Sequence, residues 1–155
     1  LNLDIPAGVQ DGMRLHLPGE GEVGFAGGPA GDLYLEVSVS ADPVFGRDGD
    51  DLVARLEVPY IDAILGADVE LESFDGVETI SVKPGTQTGE KIVIKGKGAN
   101  KLRGSGRGNL ILETYVSVPE KVDKKQRQLI DQLKGMTKDQ AGLRERRQGF
   151  GFGRK

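Results

Sequence analysis

Apolar and polar side chains alternate in short stretches along this 155-residue chain, and clusters of glycine and proline separate the stretches. A period of two predicts half-buried β-strands, and the glycine and proline clusters predict turns and loops. The alternating stretches are residues 1–5, 13–17, 32–39, 52–58 and the pair 69–71 and 77–80, which Asp75-Gly76 would join as a hairpin turn. The pattern therefore predicts an all-β protein.

Residues 3–39 recur without a gap as residues 80–116, which lie 77 positions further along the chain. Eleven of the 37 aligned pairs are identical, most of them glycines, and the apolar positions keep the same register. Glycines at fixed spacing indicate a repeated set of turns, because glycine reaches backbone conformations that other residues avoid. Residues 51–79 precede the second copy, whereas almost nothing precedes the first. We therefore expect two β units of one repeated design, the first of them incomplete.

Two segments have helical patterns. Tyr60–Leu65 is a short candidate helix that Gly66 would end, and a longer one runs from the capping residue Asp123 to Gly135. The longer helix is amphipathic, with a narrow apolar stripe of Val122, Leu129, Ile130, Leu133 and Met136. This stripe either packs on the helix's own domain or forms a contact between two copies of the chain. Residues 138–155 are charged and poor in apolar side chains, which predicts disorder.

Composition and charge narrow the classes of function. The chain has no cysteine, which excludes disulfides and thiolate zinc sites from this segment. Its apolar runs are too short to span a bilayer, so we expect no membrane partner. Residues 1–82 carry 17 acidic and 3 basic side chains, a net charge of −14, whereas residues 83–155 carry 7 and 18, a net of +11. Such halves attract each other, attract different partners or carry solvated charge on separate surfaces.

The residue patterns do not predict an enzyme or a metal site. His16 is the only histidine, it lies on the polar face of a predicted strand, and no nucleophile stands at a suggestive spacing. Residues 19–24 match the dinucleotide motif G-x-G-x-x-G, but the glycine-rich residues that follow cannot begin the helix that the motif requires. We therefore expect neither catalysis nor a cofactor in this chain.

The second copy of the repeat contains a basic loop. Its cations, with no acid between them, are Lys95, Lys97, Lys101, Arg103 and Arg107. The aligned loop of the first copy carries Glu20 and Glu22, so the basic character is not part of the repeated design. This loop contacts phosphates, contacts the acidic tail of another protein, or is simply solvated.

Several longer motifs occur in a fixed order. The first copy and the segment after it contain IPAGV at 5–9, GEGE at 19–22, GPAGDLY at 28–34 and FGRDGDDL at 45–52, and the second copy contains PGTQTG at 84–89 and GKG at 96–98. Over residues 1–136 these motifs closely resemble the C-terminal region of DnaJ, the heat-shock co-chaperone family.

This resemblance implies two tandem β-sandwich-like domains that bind apolar segments of unfolded client proteins, and a helix that forms a homodimer. It also implies delivery of clients to a DnaK-type chaperone in the cytoplasm. The implied boundaries are 1–42 for the remainder of the first domain, 43–119 for the second, 120–137 for the dimerisation helix and 138–155 for a disordered tail.

The resemblance also implies particular functional residues. Phe45 resembles part of the first domain's client groove, with Leu3 and Ile5 as further candidates, although Phe45 could equally fill the space between domains. The residues that fall where the family dimerises are Leu129, Ile130, Leu133 and Met136.

This stretch lacks the J domain with its His-Pro-Asp motif and the zinc-binding cysteine repeats, so the resemblance leaves any zinc to an upstream region. We do not expect this segment alone to stimulate ATP hydrolysis by its partner. The alternatives are a nucleic-acid-binding β module, using residues 95–107 and the arginine-rich tail, and a purely structural dimerisation segment.

Overall fold

The computed structural model describes residues 2–146 of the chain. Of these described residues, strands hold 33% and helices 15%, which agrees with the predicted all-β class. The elements are β1 (Arg14–Leu17), β2 (Leu33–Glu36), β3 (Gly46–Asp48), β4 (Asp51–Pro59), α1 (Tyr60–Leu65), β5 (Ala67–Ser73), β6 (Gly76–Val82), β7 (Lys91–Ile94), β8 (Leu110–Ser117) and α2 (Lys124–Met136), with a short 3-10 turn at Phe25–Gly27.

The described strands form three sheets. β1 pairs antiparallel with β2, and β5 pairs antiparallel with β6. The remaining strands form a four-stranded sheet in the order β3-β4-β8-β7. In β5 the acidic residues Asp68, Glu70 and Glu72 are exposed while the residues between them are half-buried, as expected for a strand with one solvated face.

The chain packs as two compact units. Among the described residues, the first unit comprises residues 2–54 together with Ile92–Leu112, and the second comprises Arg55–Lys91 and residues 113–146. Leu110 and Leu112 are buried in the first unit. The second unit buries a larger apolar set, namely Leu56, Val58, Ala63, Ile80 and Val82. The domain boundaries implied by the sequence, and the tandem β-sandwich-like design, stay predictions.

The repeat in the sequence recurs in the backbone hydrogen bonds. The Gly12 amide donates to the Val37 carbonyl at 2.8 Å, and 77 residues later the Gly89 amide donates to the Thr114 carbonyl at the same distance. β1 and β7 likewise begin and end 77 residues apart. The repeated sequence therefore builds the same local turns twice.

One glycine pair of the repeat is required by close packing. A Cβ at Gly21 would lie 2.5 Å from the carbonyl oxygen of Asp32, and a Cβ at Gly98 would lie 2.5 Å from that of Asn109. Real Cβ atoms essentially never come so close to another heavy atom, so only glycine fits at these two positions without a backbone shift.

The strand expected at residues 1–5 does not form in the described part, residues 2–5, and Leu1 lies outside the described residues. The equivalent segment of the second copy belongs to β6, where Ile80 pairs with Val69 of β5. Residues 2–5 belong to none of the three sheets of the described residues, so this segment forms no hydrogen-bond ladder there. Alternation of apolar and polar residues predicts an extended segment, but a β-strand also needs a neighbouring strand to which it can hydrogen-bond.

The two predicted helices form where expected. α1 ends at Gly66, which adopts φ +80°, and its buried residue is Ala63. Asp123 caps α2 through a capping box, because its carboxylate accepts from the Gln126 amide at 2.7 Å while the Gln126 side chain accepts from the Asp123 amide at 3.1 Å. Residues 138–146 have no regular secondary structure, and the rest of the tail predicted to be disordered lies outside the described residues.

Candidate functional site

The second unit carries an open cleft between α1, the turn after β6 and the end of β8. Pro59 ends β4 and leads directly into α1. The amides of Gly85 and Thr86 both donate to the carbonyl of Ala63, at 2.8 and 3.1 Å, which fixes the turn against the C-terminal end of the helix. These main-chain bonds set the width of the cleft.

The cleft has a volume of about 370 Å³. Its lining residues are Tyr60, Ala63, Ile64, Gly85, Thr86, Gln87, Thr88 and Val116. None of them carries a formal charge at neutral pH, and Ile64 is 55% exposed. An uncharged cleft with an exposed isoleucine suits an apolar side chain better than an ion.

The polar side chains that line the cleft form hydrogen bonds with the chain's own backbone. The Thr86 hydroxyl donates to the Lys83 carbonyl, and the Thr88 hydroxyl accepts from the Val116 amide at 3.0 Å. The side-chain Nε2 of Gln87 donates to the Gly85 carbonyl at 3.0 Å. Both threonine hydroxyls are therefore held in place by bonds to the chain's own backbone.

The sequence did not predict this cleft. It places Ile61, Ile64 and Leu65 on one face of α1, and these side chains stay 42%, 55% and 70% exposed. Three large apolar side chains on a six-residue helix exceed what so short an element can bury. That excess is the signal from which an exposed apolar surface could have been predicted.

The predicted client-binding residues lie in the first unit, outside the cleft. Leu3 is half-buried and Ile5 is 59% exposed, in the irregular segment before β1. Phe45 is half-buried and lies immediately before β3. The amides of Phe45 and Val44 donate to the carboxylate of Asp42, at 2.9 and 2.8 Å, and so lower its pKa. The role of Leu3, Ile5 and Phe45 in client binding stays a prediction.

The predicted dimerisation residues lie on α2. Leu129, Leu133 and Met136 are 57%, 48% and 81% exposed, and Ile130 is half-buried. Within the described residues, α2 therefore presents its apolar stripe largely to solvent. The assignment of this stripe to a dimer contact stays a prediction.

His16 takes part in a small polar cluster on β1 and β2. Its Nε2 atom lies 2.7 Å from Asp32, and its ring stacks on Tyr34 with centroids 4.8 Å apart. The hydrogen bond from His16, followed by that from the Gly19 amide, lowers the pKa of Asp32. In the second copy Asn109 replaces the aspartate and still accepts from the Gly96 amide at 3.1 Å, so this side chain braces the turn in both copies.

Comparison with known families identifies the chain. Residues 1–119 match the family model described as the DnaJ C terminal domain. The chain belongs to this family. The family resemblance seen in the sequence is thereby confirmed.

Curated members of the DnaJ family align with most of this chain. A "Chaperone protein DnaJ 1" of Corynebacterium efficiens is 47% identical over 141 residues, which cover 90% of this chain and 37% of that protein. A "Chaperone protein DnaJ" of Leifsonia xyli is 50% identical over 83% of this chain and 35% of its own length. One from Caldicellulosiruptor saccharolyticus is 40% identical over 90% of this chain and 36% of its own length. The chain thus spans about a third of these DnaJ relatives.

Two features that residues 2–146 lack bear on function. Within this range, no three histidine or acidic side chains lie close enough together to hold a metal ion. No helix in the same range combines the length and apolarity needed to cross a membrane.

Proposed function

We propose that this chain is the client-binding and dimerising part of a DnaJ-type co-chaperone, which binds apolar segments of unfolded proteins and delivers them to a DnaK-type chaperone in the cytoplasm. Family membership supports the co-chaperone role. The observation that carries client binding is the uncharged cleft beside α1, with Tyr60, Ile64 and Val116 along its walls.

The cleft suits weak, sequence-tolerant binding. Burying one leucine or phenylalanine side chain of a client contributes about 1.5–3 kcal/mol, which by itself gives only weak affinity. The absence of charged lining residues means that the cleft rejects few apolar sequences. A co-chaperone that must release its clients to a partner needs such modest affinity.

We propose a second client-binding surface on the first unit, around Phe45 with Leu3 and Ile5. Ile5 is exposed and the other two side chains are half-buried, so a client could cover all three. The competing role of Phe45 is to fill space between domains. Binding measurements on Phe45→Ala separate the two, since loss of client affinity without loss of stability supports the binding role.

We further propose that two copies of the chain dimerise through α2. The stripe of Leu129, Leu133 and Met136 recurs at helical spacing and is about half or more exposed at each of these residues. Two such stripes packed together would remove apolar surface from water on both helices. Dimerisation would place two client clefts in one molecule and raise the affinity for long clients through effective concentration.

Binding of a fluorescent leucine- and serine-containing peptide, measured by anisotropy, tests the function of the cleft. Ile64→Asp introduces a charge into the apolar wall and should weaken binding about tenfold or more. Ile61→Asp is the matched control, because Ile61 is an exposed isoleucine on the same helix that does not line the cleft. The affinity of the chain itself should change little with added salt.

Equal effects of Ile64→Asp and Ile61→Asp would contradict the assignment of the cleft. A peptide affinity that falls steeply with salt would contradict apolar binding altogether.

A further inference from the structure

The cleft beside α1 is formed mainly by an acidic part of the chain. Residues 55–91, which supply all but one of its lining residues, carry eight acidic and three basic side chains, a net charge of −5. Asp68, Glu70 and Glu72 are exposed on β5, the strand that directly follows α1. The lining residues themselves carry no formal charge. A segment that combines apolar side chains with flanking cations is therefore complementary to this surface.

The last twelve residues of the sequence combine these two properties. Residues 144–155 carry five basic side chains and one acidic side chain, a net charge of +4. Within them, Phe150 and Phe152 alternate with three glycines, and no other aromatic residue follows Tyr115. Of this stretch, residues 147–155 lie outside the described part of the structure. The two phenylalanines give an otherwise polar and basic stretch a short apolar centre.

The spacing of Phe150 and Phe152 suits a small, open cleft. In an extended segment, residues two positions apart project from the same side of the backbone. The glycines between and beside them have no side chain, so the backbone can come close to a wall of the cleft. The cleft volume of about 370 Å³ lies near the lower end of the roughly 300–1,000 Å³ that ligand sites span. It therefore favours a segment with few bulky side chains, and Tyr60 in its lining offers a ring for aromatic contact.

The linker between α2 and this segment is long enough to reach the cleft. α2 and the cleft belong to the same compact unit. Thirteen residues, 137–149, separate Met136 from Phe150, and fully extended they span about 45 Å. A compact unit of about 70 residues has a radius of gyration of only about 11 Å. The linker can therefore span the second unit.

The apolar stripe of α2 matches this segment less well than the cleft does. Residues 124–136 carry four basic side chains and one acidic side chain, a net charge of +3, which repels a segment of net charge +4. Residues 55–91, with their net charge of −5, attract it. Both surfaces expose apolar side chains, so charge decides in favour of the cleft.

We infer that residues 149–153 occupy the α1 cleft of their own chain and compete there with clients. Phe150 and Phe152 contact the apolar lining, including Ile64, and the cations on either side meet the acidic side chains of residues 55–91. This inference rests on the proposed client-binding role of the cleft and adds a means of regulating it, because a client must displace the segment before it binds.

The tether makes weak binding of this segment sufficient. A segment on a short linker is held near its site at an effective concentration of roughly 1 mM. A segment with a Kd of about 1 mM for the cleft then fills it half of the time and weakens client binding about twofold. With a Kd of about 0.25 mM the weakening is about fivefold. Clients that bury more apolar surface still displace the segment.

Anisotropy with the fluorescent leucine- and serine-containing peptide tests the inference on the whole chain. The double variant Phe150→Ser with Phe152→Ser should bind the peptide about two- to fivefold more tightly than the unaltered chain, because the competing segment no longer fills the cleft. Leu143→Ser is the matched control. Leu143 is a fully exposed apolar residue in the same C-terminal stretch, outside residues 149–153, and its replacement should leave the affinity unchanged.

A spin label shows directly where the segment lies. The chain has no cysteine, so Gly153→Cys provides a single attachment site. The label should broaden the NMR amide signals of Thr86 and Val116, two lining residues of the cleft. Ile64→Asp should abolish this broadening, whereas Ile61→Asp, outside the cleft lining, should not. Mixing spin-labelled chains with isotope-enriched chains that carry no spin label should give no broadening, because each segment occupies the cleft of its own chain.

Three results would overturn the inference. They are equal peptide affinity in the phenylalanine double variant and the unaltered chain, broadening around Phe45 or along α2 in place of the cleft, and broadening of the cleft only between different chains. Failure of the proposed client role gives a different result, since Ile64→Asp would then leave peptide binding unchanged and still abolish the broadening. Weaker peptide binding in Ile64→Asp, with no effect of the phenylalanine variants, would remove the internal competitor and leave the client role standing.

Discussion

Thr114 lies in β8 with 1% of its surface exposed, and its hydroxyl oxygen has no hydrogen-bond partner among the described residues. The aligned residue of the first copy is Val37, which shows that the repeated turn accepts valine at this position. Valine has nearly the same shape as threonine, so Thr114→Val removes a buried, unpaired hydroxyl without opening a cavity.

Leaving a buried hydroxyl unpaired costs about 1–3 kcal/mol, and from the lower end of that range we expect Thr114→Val to raise the free energy of unfolding by about 1 kcal/mol. For a chain of this length, that gain corresponds to a rise in Tm of about 2–4 °C. Denaturant titration followed by circular dichroism measures it, as a higher midpoint with an unchanged slope.

Thr86→Val is the matched control. Thr86 is 7% exposed and aligns with Val9, so both threonines have a valine counterpart in the first copy. The Thr86 hydroxyl, however, donates to the Lys83 carbonyl, and losing that bond should lower the free energy of unfolding by about 0.5–1.5 kcal/mol. Shifts of the same sign in the two variants, or a lower midpoint for Thr114→Val, would refute the reasoning.

Two further predictions concern acid stability and assembly. Hydrogen bonds from His16 and from the Gly19 amide place the pKa of Asp32 in the folded chain below its ordinary 3.8. Ionised Asp32 therefore stabilises the fold above about pH 4, and this contribution is lost as the pH falls through the pKa of Asp32 in the folded chain. When the free energy of unfolding is measured against pH, it should therefore fall less steeply below about pH 4 in Asp32→Asn than in the unaltered chain. Equal slopes for the two proteins would contradict this prediction. Leu133→Asp should convert dimers to monomers in sedimentation equilibrium, because it buries a charge in the proposed α2 contact. Gln132→Asp, one position along the helix, should leave the dimer intact, and dimers that persist in Leu133→Asp would exclude α2 as the interface.

Local structure followed closely from local sequence. The glycines of the repeat predicted two equivalent sets of turns, and the hydrogen bonds of Gly12 and Gly89 confirm them. The helix Tyr60–Leu65 and its stop at Gly66 also form as predicted. These features depend on the conformational limits of single residues and on spacing within a few positions, both of which are visible in a sequence.

The hairpin turn was predicted one position too late. The sequence favours Asp75-Gly76 as the turn, whereas Gly76 pairs with Ser73 and the turn residues are Phe74 and Asp75. The Ser73 hydroxyl donates to the Gly76 carbonyl at 3.1 Å and accepts from the Asp75 amide at 3.2 Å, which favours the observed register. A side chain next to the turn thus outweighed the preference of the Asp-Gly pair.

The cleft was beyond the reach of sequence patterns. It depends on the carbonyl of Ala63 meeting the amides of Gly85 and Thr86, more than twenty positions away. Periodicity reports which face of an element is apolar, but it does not report which distant segment stops short of covering that face. The exposed Ile64 is the consequence.

The loops that contain Gly21 and Gly98 are held by amide-to-carbonyl bonds, which every residue type except proline can supply. Replacing a glutamate by a lysine on such a loop alters what the surface attracts while leaving its outline unchanged. A chain that contains this loop twice can therefore change the charged side chains of one copy with little effect on folding. In such a repeated loop the backbone bonds hold the structure, while the side chains alone decide what the surface binds.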